Sequence, residues 1–575
     1  HCYVFNATFD EAENEWKALQ FCPVMEKADD YQTAFHARLA TKLKGLGVEI
    51  ASNDFAFEVA GVERELNDKF SRRTKLILAE AARRGVTDPA QRDKLGALTR
   101  EKKVEELTIP QLEPSWWSRL SPEDIRAFVV IKAKLQESRA KEVALKQEKA
   151  QASSKELGTQ AKVSLNRAPW PVESPKATVE PSKADLKAVR FAVEHLFERM
   201  SVVTENQLVT EAFKSWCYGQ ATLEGVREAV REWPLIRIER NGETVITTKE
   251  VLAEENRIVE QCQAGRGRYG VLNADWRIED ARLNGQQREG VLHVLGSRDF
   301  VTGISGKAGT GKTTLLHEAK RGIEAGGGKL RVFAPTAEAA RETLRNQGFV
   351  DAETVAKLLS SEALQEQARG AVWWVDEAGL LSSRSMDQLL HLAEKLGARV
   401  VLVGDTGQHH AVERGQAFDL LKKFGEMAVA EVDQVQRQKG AYKTAVELIS
   451  EKQFEAGFEV LQEMGAMREI KLEAERQRAI AADYAAALET GKSAQVVSPT
   501  HDEGRSITQA IRHELKEREV MGEGEKWQVL RNLSWTSAQK RDARKYEPGL
   551  VVQVNRPLEG FAIGEQLEID RKSVV

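Results

Sequence analysis

Phe300-Val301-Thr302-Gly303-Ile304-Ser305-Gly306-Lys307-Ala308-Gly309-Thr310-Gly311-Lys312-Thr313-Thr314-Leu315-Leu316 decides the fold of this chain. Phe300 to Ser305 reads as a short apolar strand, and Thr313 onward opens a helix. Between them, Gly306 to Thr313 fits the spacing G-x-x-x-x-G-K-[ST]. Glycines in such a turn let the backbone curl until its N–H groups face one concavity. The helix behind adds its positive end. A lysine supplies a point charge for phosphate oxygens, and a threonine hydroxyl can ligate a divalent cation. The expected phosphate cradle is therefore Gly306, Lys307, Ala308, Gly309, Thr310, Gly311, Lys312, Thr313 and Thr314.

Two further strand ends support this reading. Val375-Asp376-Glu377-Ala378-Gly379 closes an apolar run at Val372 to Val375. Asp376 is expected to hold Mg²⁺, and Glu377 to orient an attacking water and take up its proton. Val403-Gly404-Asp405-Thr406-Gly407-Gln408 closes the run at Val400 to Val403. The Gln408 amide can donate to a γ-phosphate and be released when it leaves. With Leu330 to Ala334, these strands alternate with helical patterning, which predicts a parallel sheet covered on both faces. Ligands of open α/β sheets sit at the carboxyl ends of strands, where all three motifs lie.

The 575 residues are 41% hydrophobic and 30% charged, so several globular domains are expected. No apolar run is long enough to span a bilayer, so no membrane insertion is expected. The start, His1-Cys2-Tyr3-Val4-Phe5, has no signal-peptide pattern and reads as a strand entered from the middle of a longer chain. Cys2, Cys22, Cys217 and Cys262 form no C-x-x-C pair and read as reduced thiols of a cytosolic protein. A net charge of −4 does not exclude nucleic acid, because basic residues can be confined to one groove.

Composition divides the chain as follows. Residues 1–75 mix short strands with a helix from Tyr31 to Leu46, whose Phe35, Leu39, Leu43 and Leu46 share one face. Residues 76–149 are a charged helical extension. Residues 150–184, with Pro169, Pro171, Pro175 and Pro181, form a linker. Residues 185–265 read as a small winged-helix-like module. A helix there carries Leu186, Val189, Val193 and Leu196, and a strand pair lies near Ile236 to Ile238 and Thr244 to Ile246. Residues 266–428 hold the phosphate cradle. Residues 429–575 open a second unit with a strand at Gln495 to Ser498 and a β-rich tail.

The ordered series Leu283-Asn284-Gly285-Gln286-Gln287-Arg288, the cradle, Ala334-Pro335-Thr336-Ala337, Asp376-Glu377-Ala378-Gly379, Gly404-Asp405-x-x-Gln408 and Gln436-Arg437-Gln438 resembles superfamily 1 helicases of the RecD-like branch. The resemblance implies an α/β fold of tandem RecA-like P-loop domains, the second incomplete. It implies ATP with Mg²⁺, an adenine contact by Gln287, DNA contacts at Pro335, Thr336 and Thr354, and a γ-phosphate contact by Arg437. His1 to Thr8, Tyr31 to Gly47, Phe57 to Val62 and Phe70 to Arg73 resemble conjugative relaxases of the TrwC/TraI (MobF) type. These blocks imply the C-terminal part of an α+β relaxase domain ahead of the motor.

In that family, nicking needs a tyrosine nucleophile and a three-histidine divalent-metal site. Only His1 of that triad is expected here. Tyr3 and Tyr31 read as packing residues. The function the resemblance implies is ATP-dependent translocation on single-stranded DNA and unwinding of DNA, with 5′ to 3′ polarity, coupled in the full protein to nicking of plasmid DNA alongside other conjugation proteins. Two alternatives stay open: a RecD-like repair helicase with an unrelated N-terminus, and a non-hydrolysing DNA-binding scaffold.

Overall fold

Three strands buried from end to end run parallel through the middle of the chain in the computed structural model, and the nucleotide-site motifs hang from their ends. The structure describes residues 7–10, 15–18, 25–53, 56–60, 62, 66, 69–70, 72–84, 109–126, 128–130, 132–133, 136–137, 140, 179–215, 217–307, 309–405, 407, 411–434, 440–522, 524–525, 527, 529–555 and 558–570. Among them, no helix is long and apolar enough to cross a membrane.

The N-terminal part holds the antiparallel pair β1 (Ala7–Asp10) and β2 (Glu15–Ala18), helix α1 (Ala28–Gly45), and the antiparallel pair β3 (Ile50–Ser52) and β4 (Phe57–Val59). Helices α2 (Arg72–Arg84) and α3 (Ile109–Trp117) follow. Next come α4 (Lys183–Arg199), β5 (Val203–Thr204), α5 (Glu205–Phe213), α6 (Leu223–Glu232), and a hairpin of β6 (Leu235–Arg240) and β7 (Glu243–Thr248). The hairpin turns at Asn241-Gly242, both at positive φ, which matches the twist of the flanking strands. Ser182 and Thr204 open α4 and α5 with reciprocal capping boxes.

Helix α7 (Lys249–Ala264) leads into the central sheet. There follow α8 (Gly285–Gly296), β8 (Val301–Gly306), α9 (Lys312–Ala325), β9 (Leu330–Ala334), β10 (Glu353–Thr354), α10 (Val355–Ser360) and α11 (Glu362–Gln367). The unit closes with β11 (Val372–Val375), α12 (Ser383–Lys395), β12 (Arg399–Gly404), α13 (Ala417–Lys423) and β13 (Val429–Val432). The strand order is β10-β9-β11-β12-β8-β13, parallel throughout.

Strand alternation sends Trp373 into one core with Phe333, Val400 and Leu389, and Trp374 into the other with Ile304, Leu316 and Val401. Both indoles are buried, and Trp373 also donates to Ala368 O at 2.8 Å. Truncating a core Trp to Ala costs about 3–5 kcal/mol, so this adjacent pair anchors both layers.

The helix expected from Tyr31 forms, with Leu39, Leu43 and Leu46 half-buried, but its fully buried residues are others. Thr33, Ala37 and Ala40 are inside, while Phe35 is 62% and Tyr31 57% exposed. Small residues let the α1 backbone approach α5 closely, whereas Phe35 has no layer packed over it among the described residues. Tyr31 is therefore not the packing residue expected. Ala37 and Ala40 share one hydrophobic cluster with Val189, Leu208, Phe213 and Tyr218, and Ile50 and Phe57 pack against it. Thr210 donates to Asp30 at 2.8 Å, and Tyr218 N to Ser52 Oγ at 3.1 Å. Segments from the 1–75 and 185–265 stretches thus build a common core across the sequence between them.

Beyond the sheet lie α14 (Gly440–Ser450), α15 (Phe454–Glu463), α16 (Glu473–Glu489), α17 (His501–Glu517), α18 (Ser537–Lys540) and the antiparallel pair β14 (Val551–Gln553) and β15 (Gln566–Glu568). The strand expected at Gln495 to Ser498 is not formed. That run has no ladder partner among the described residues, and Val497 is 84% exposed. A single apolar run without a neighbouring strand has nothing to pair with.

Candidate nucleotide-binding site

The phosphate loop is shaped by exclusion. Gly306 ends β8 where a Cβ would stand 3.1 Å from Val432 O and 3.2 Å from Thr310 Oγ1. Gly309 and Gly311 lie at φ +79° and +77°, the left-handed region that glycine enters without penalty. A Cβ on Gly311 would also stand 2.5 Å from Gln287 Nε2. Thr310 is buried and donates to Lys307 O at 3.0 Å, closing the loop on itself. Lys312 Nζ folds back to Gly306 O at 3.0 Å. Thr313 and Thr314 stand half-buried in the first turn of α9. Ala308 lies outside the described residues. A backbone concavity that side chains cannot fill, a helix N-terminus and an ammonium group together fit a polyphosphate.

Asp376 is held at the end of β11, its N–H donating to Phe333 O at 2.9 Å. Asp376 is half-buried. Burial, followed by the adjacent Glu377, pushes its pKa up to about 6 against the pull of Lys312. Glu377 adopts φ +52°, a left-handed conformation that costs a non-glycine residue on the order of 1 kcal/mol. The strain is offset in part by its N–H donating to Asp376 Oδ1 at 3.1 Å. The turn then runs hard against the end of β12, where a Cβ on Gly404 would stand 2.9 Å from Gly379 N. Asp405 Oδ1 accepts Gly407 N at 2.8 Å. Gln408 lies outside the described residues, as do Arg437 and His1.

Gln287 is buried. Its Nε2 donates to Thr310 O at 2.8 Å and its Oε1 accepts Asn284 N at 2.9 Å. Both ends of the amide are therefore engaged inside the protein, and in this arrangement it braces the phosphate loop. Its neighbour Gln286 accepts Asp433 N and Gln434 N, each at 3.0 Å, just beyond β13. Lys307 Nζ reaches Ser450 Oγ on α14 at 3.1 Å. The loop is thereby tied to the segment that follows the sheet.

Pro335 and Thr336 leave β9 and line a separate cleft of about 560 Å³ with Leu359, Leu381, Arg384 and Gln388. Thr354 does not line it. Its hydroxyl caps α10 by accepting Lys357 N at 3.1 Å, while the next residue, Val355, faces the cleft. Pro335-Thr336, Asp376, Asp405 and the loop after Gly306 all leave the carboxyl ends of four neighbouring strands, β9, β11, β12 and β8.

Sequence reading missed Glu318 on α9. Its buried carboxylate accepts Trp276 Nε1 at 3.0 Å and Glu279 N at 2.8 Å. A charged residue three positions after the core residue Leu315 was the available signal. Among the described residues, no three His, Cys, Asp or Glu side chains are grouped as a metal site.

Comparison with known proteins finds two family models that match different parts of the chain. Residues 282–472 match a family model described as an AAA domain, and residues 1–122 match one described as TrwC relaxase. The probable conjugal transfer protein TraA of Sinorhizobium fredii is 27% identical over 247 residues, 42% of this chain and 22% of that protein. The multifunctional conjugation protein TraI of Escherichia coli strain K12 is 29% identical over 175 residues, 29% of this chain and 10% of that protein. The chain thus spans under a quarter of the length of these relatives. A solved structure of conjugative relaxase TrwC in complex with mutant OriT DNA is 27% identical, covering 20% of this chain and 42% of that one, with a TM-score of 0.17. The matched families imply use of a nucleotide and of a divalent metal.

Proposed function

We propose that this chain, in which a TrwC-type relaxase segment stands ahead of an AAA domain as in MobF relaxase-helicases, is the part of such a protein that couples ATP hydrolysis to movement along single-stranded DNA. The observation that carries the proposal is the convergence of Lys312, at the start of α9, with Asp376 and Glu377, at the end of β11, beside a loop whose backbone favours glycine at 309 and 311. Lys312 would neutralise the β- and γ-phosphates. Thr313 Oγ and Asp376 would hold Mg²⁺, which supplies charge neutralisation on the phosphates. Glu377 would orient the attacking water and accept its proton. Gln408 and Arg437 would report and stabilise the γ-phosphate.

The same reading assigns the segment after β13 to a second RecA-like unit, residues 185–265 to a winged-helix-like module, and the Pro335-Thr336 cleft to DNA. Travel would be 5′ to 3′ in the bacterial cytoplasm. In the whole protein, a tyrosine nucleophile and a three-histidine metal site that includes His1 would nick plasmid DNA, with other conjugation proteins as partners.

The test is ATP hydrolysis by the full-length protein with and without single-stranded DNA. Stimulation by DNA, with Lys312→Ala lowering turnover at least a hundredfold, is the expected result. Hydrolysis indifferent to both DNA and Lys312 would sink the motor reading. Binding of DNA without any hydrolysis would favour the scaffold alternative.

A further inference from the structure

Arg414 stands where three parts of the molecule meet. Its Nη1 donates to Phe197 O at 2.8 Å, at the end of α4, and its Nη2 donates to Glu254 Oε2 at 2.7 Å, on α7. Its backbone N–H donates to Glu198 O at 3.3 Å, and its carbonyl accepts Ser383 N at 3.1 Å. Ser383 is the first residue of α12, the helix that follows the Asp376-Glu377 turn. Gly415, next in the chain, takes φ +93°, and a Cβ there would stand 1.8 Å from Ser383 Oγ. Around this point Ser382 Oγ donates to Glu413 at 3.1 Å, and Ser201 Oγ donates to Glu255 at 2.7 Å. The helix that follows the candidate catalytic carboxylates thus meets the helical module ahead of the sheet at Arg414, beside a direct ion pair between Arg257 of α7 and Asp387 of α12 at 2.7 Å.

The ion pair has an unusual state of satisfaction. The Arg414 and Glu254 side chains are only 14% and 10% exposed. Withdrawing two charges from water is costly, and a well-packed apolar pair is often as stable or more so. Stability alone therefore does not account for the pair. Moreover, Arg414 Nε and Glu254 Oε1 are both buried without a hydrogen-bond partner among the described residues. An arginine–carboxylate fork has room for two parallel bonds, of which one is made here. A movement of α7 against the 411–415 stretch that brought Nε to Oε1 would complete the fork and satisfy both atoms.

We propose that Arg414 is a positioning residue that couples the nucleotide site to the 183–264 module, the half-made fork with Glu254 being one of two states between which the Asp376–Ser383 segment selects. The proposal rests on the nucleotide-binding reading above. A coupling claim requires an element with two arrangements that both sites can bias, and the completed fork would be the second of them. Glu254 and Arg414 touch neither the phosphate loop nor the carboxylates, so the role is transmission and not chemistry.

The experiment is amide hydrogen exchange on the full-length protein, with ADP and with the non-hydrolysable analogue AMP-PNP. It compares wild type, Arg414→Met, and the apolar pair Arg414→Met/Glu254→Met, which keeps the volume of the junction. In wild type, exchange across 250–258 of α7 is expected to differ at least threefold between the two nucleotides. Both variants are expected to lose that difference while the phosphate loop, 309–314, is protected as in wild type. Loss in the apolar pair separates coupling from folding, because that variant is expected to melt no lower than wild type. A nucleotide-dependent difference in α7 that survives in Arg414→Met, or that is absent from wild type while 309–314 is protected, overturns the proposal. No protection of 309–314 by either nucleotide in wild type would instead overturn the nucleotide reading, and this proposal with it.

Discussion

Glu318 accepts the indole N–H of Trp276 at 3.0 Å from a wholly buried position on the helix behind the phosphate loop. The same carboxylate accepts Glu279 N at 2.8 Å and Asp280 N at 3.3 Å, and pairs with Arg321. Its clients belong to the strap that enters Asn284 and Gln287, and Gln287 in turn holds Thr310 O. A ring is thereby closed between both ends of the first two turns of α9. Glu318→Gln keeps the shape but turns an NH₂ group towards donors, leaving at least one of them unpaired at about 1–3 kcal/mol. The expected result is a several-fold higher KM for ATP with kcat within twofold, from steady-state hydrolysis. An unchanged KM would show that the strap does not support nucleotide binding.

Glu318 also sets a pH dependence. Burial pushes its pKa up, but the hydrogen bonds from Glu279 N and Trp276 and the charge of Arg321 outweigh it, and the carboxyl titrates below its ordinary value. A carboxyl depressed in the folded state adds stability above its unfolded pKa and loses it as pH falls through the folded value. Wild type should therefore shed stability on acidification below about pH 4.5 that Glu318→Gln does not possess, seen as converging melting curves at low pH.

Asp376 has the opposite sign. Its pKa is raised to about 6, so the folded protein holds a proton that the unfolded chain has lost. Stability falls as pH rises from about 4 to about 6, and the ionised carboxyl is carried at a cost on the order of 2–3 kcal/mol above that window. Asp376→Asn removes the cost. In the absence of nucleotide and metal, the variant is expected to melt several degrees above wild type at pH 8 and no higher at pH 4, while losing hydrolysis. A gap in melting temperature that does not change with pH would contradict this account.

What the sequence made legible was local. The cradle could be read because glycine positions and a following lysine serve a geometry that closes within eight residues. Asp376 and Glu377 could be read because an apolar run ends on them. Trp373 and Trp374 both proved to be core because strand alternation feeds two covered faces. By contrast, Arg414 meets Glu254 across 160 positions, and Glu318 meets Trp276 across 42. No periodicity announces such partners. On α1 the periodicity marked a face on which Leu39, Leu43 and Leu46 are half-buried and Phe35 is exposed, while close helix approach selected Ala37 and Ala40 for full burial. Gln495 to Ser498 has strand composition, but pairing depends on neighbours that composition does not reveal.

Gln286 offers a separate test of the segment after β13. Its single amide oxygen accepts two N–H groups, Asp433 and Gln434, that have just left the sheet. Gln286→Met removes the acceptor at similar length, and Gln286→Glu keeps one. If the segment must be held for turnover, Met lowers kcat of DNA-stimulated hydrolysis about tenfold with KM for ATP unchanged, and Glu retains most of it. Equal loss in both variants, or a change confined to melting temperature, would reduce Gln286 to a strand-end cap.

The shared N-terminal core predicts a separation of stability from catalysis. Ala40 has no exposed surface and lies among Val189, Leu208 and Phe213, so Ala40→Glu places an unpaired charge where neither water nor a partner can reach it. Such burial costs several kcal/mol, more than the module can absorb without releasing α1. The two clusters that flank the central sheet contain no residue of α1. Limited proteolysis should therefore cut Ala40→Glu between residues 25 and 60 at least tenfold faster than wild type, while ATP hydrolysis without DNA stays within twofold. Loss of hydrolysis in step with cleavage would mean that the α1 core supports the sheet, through α7, more directly than the separate clusters imply.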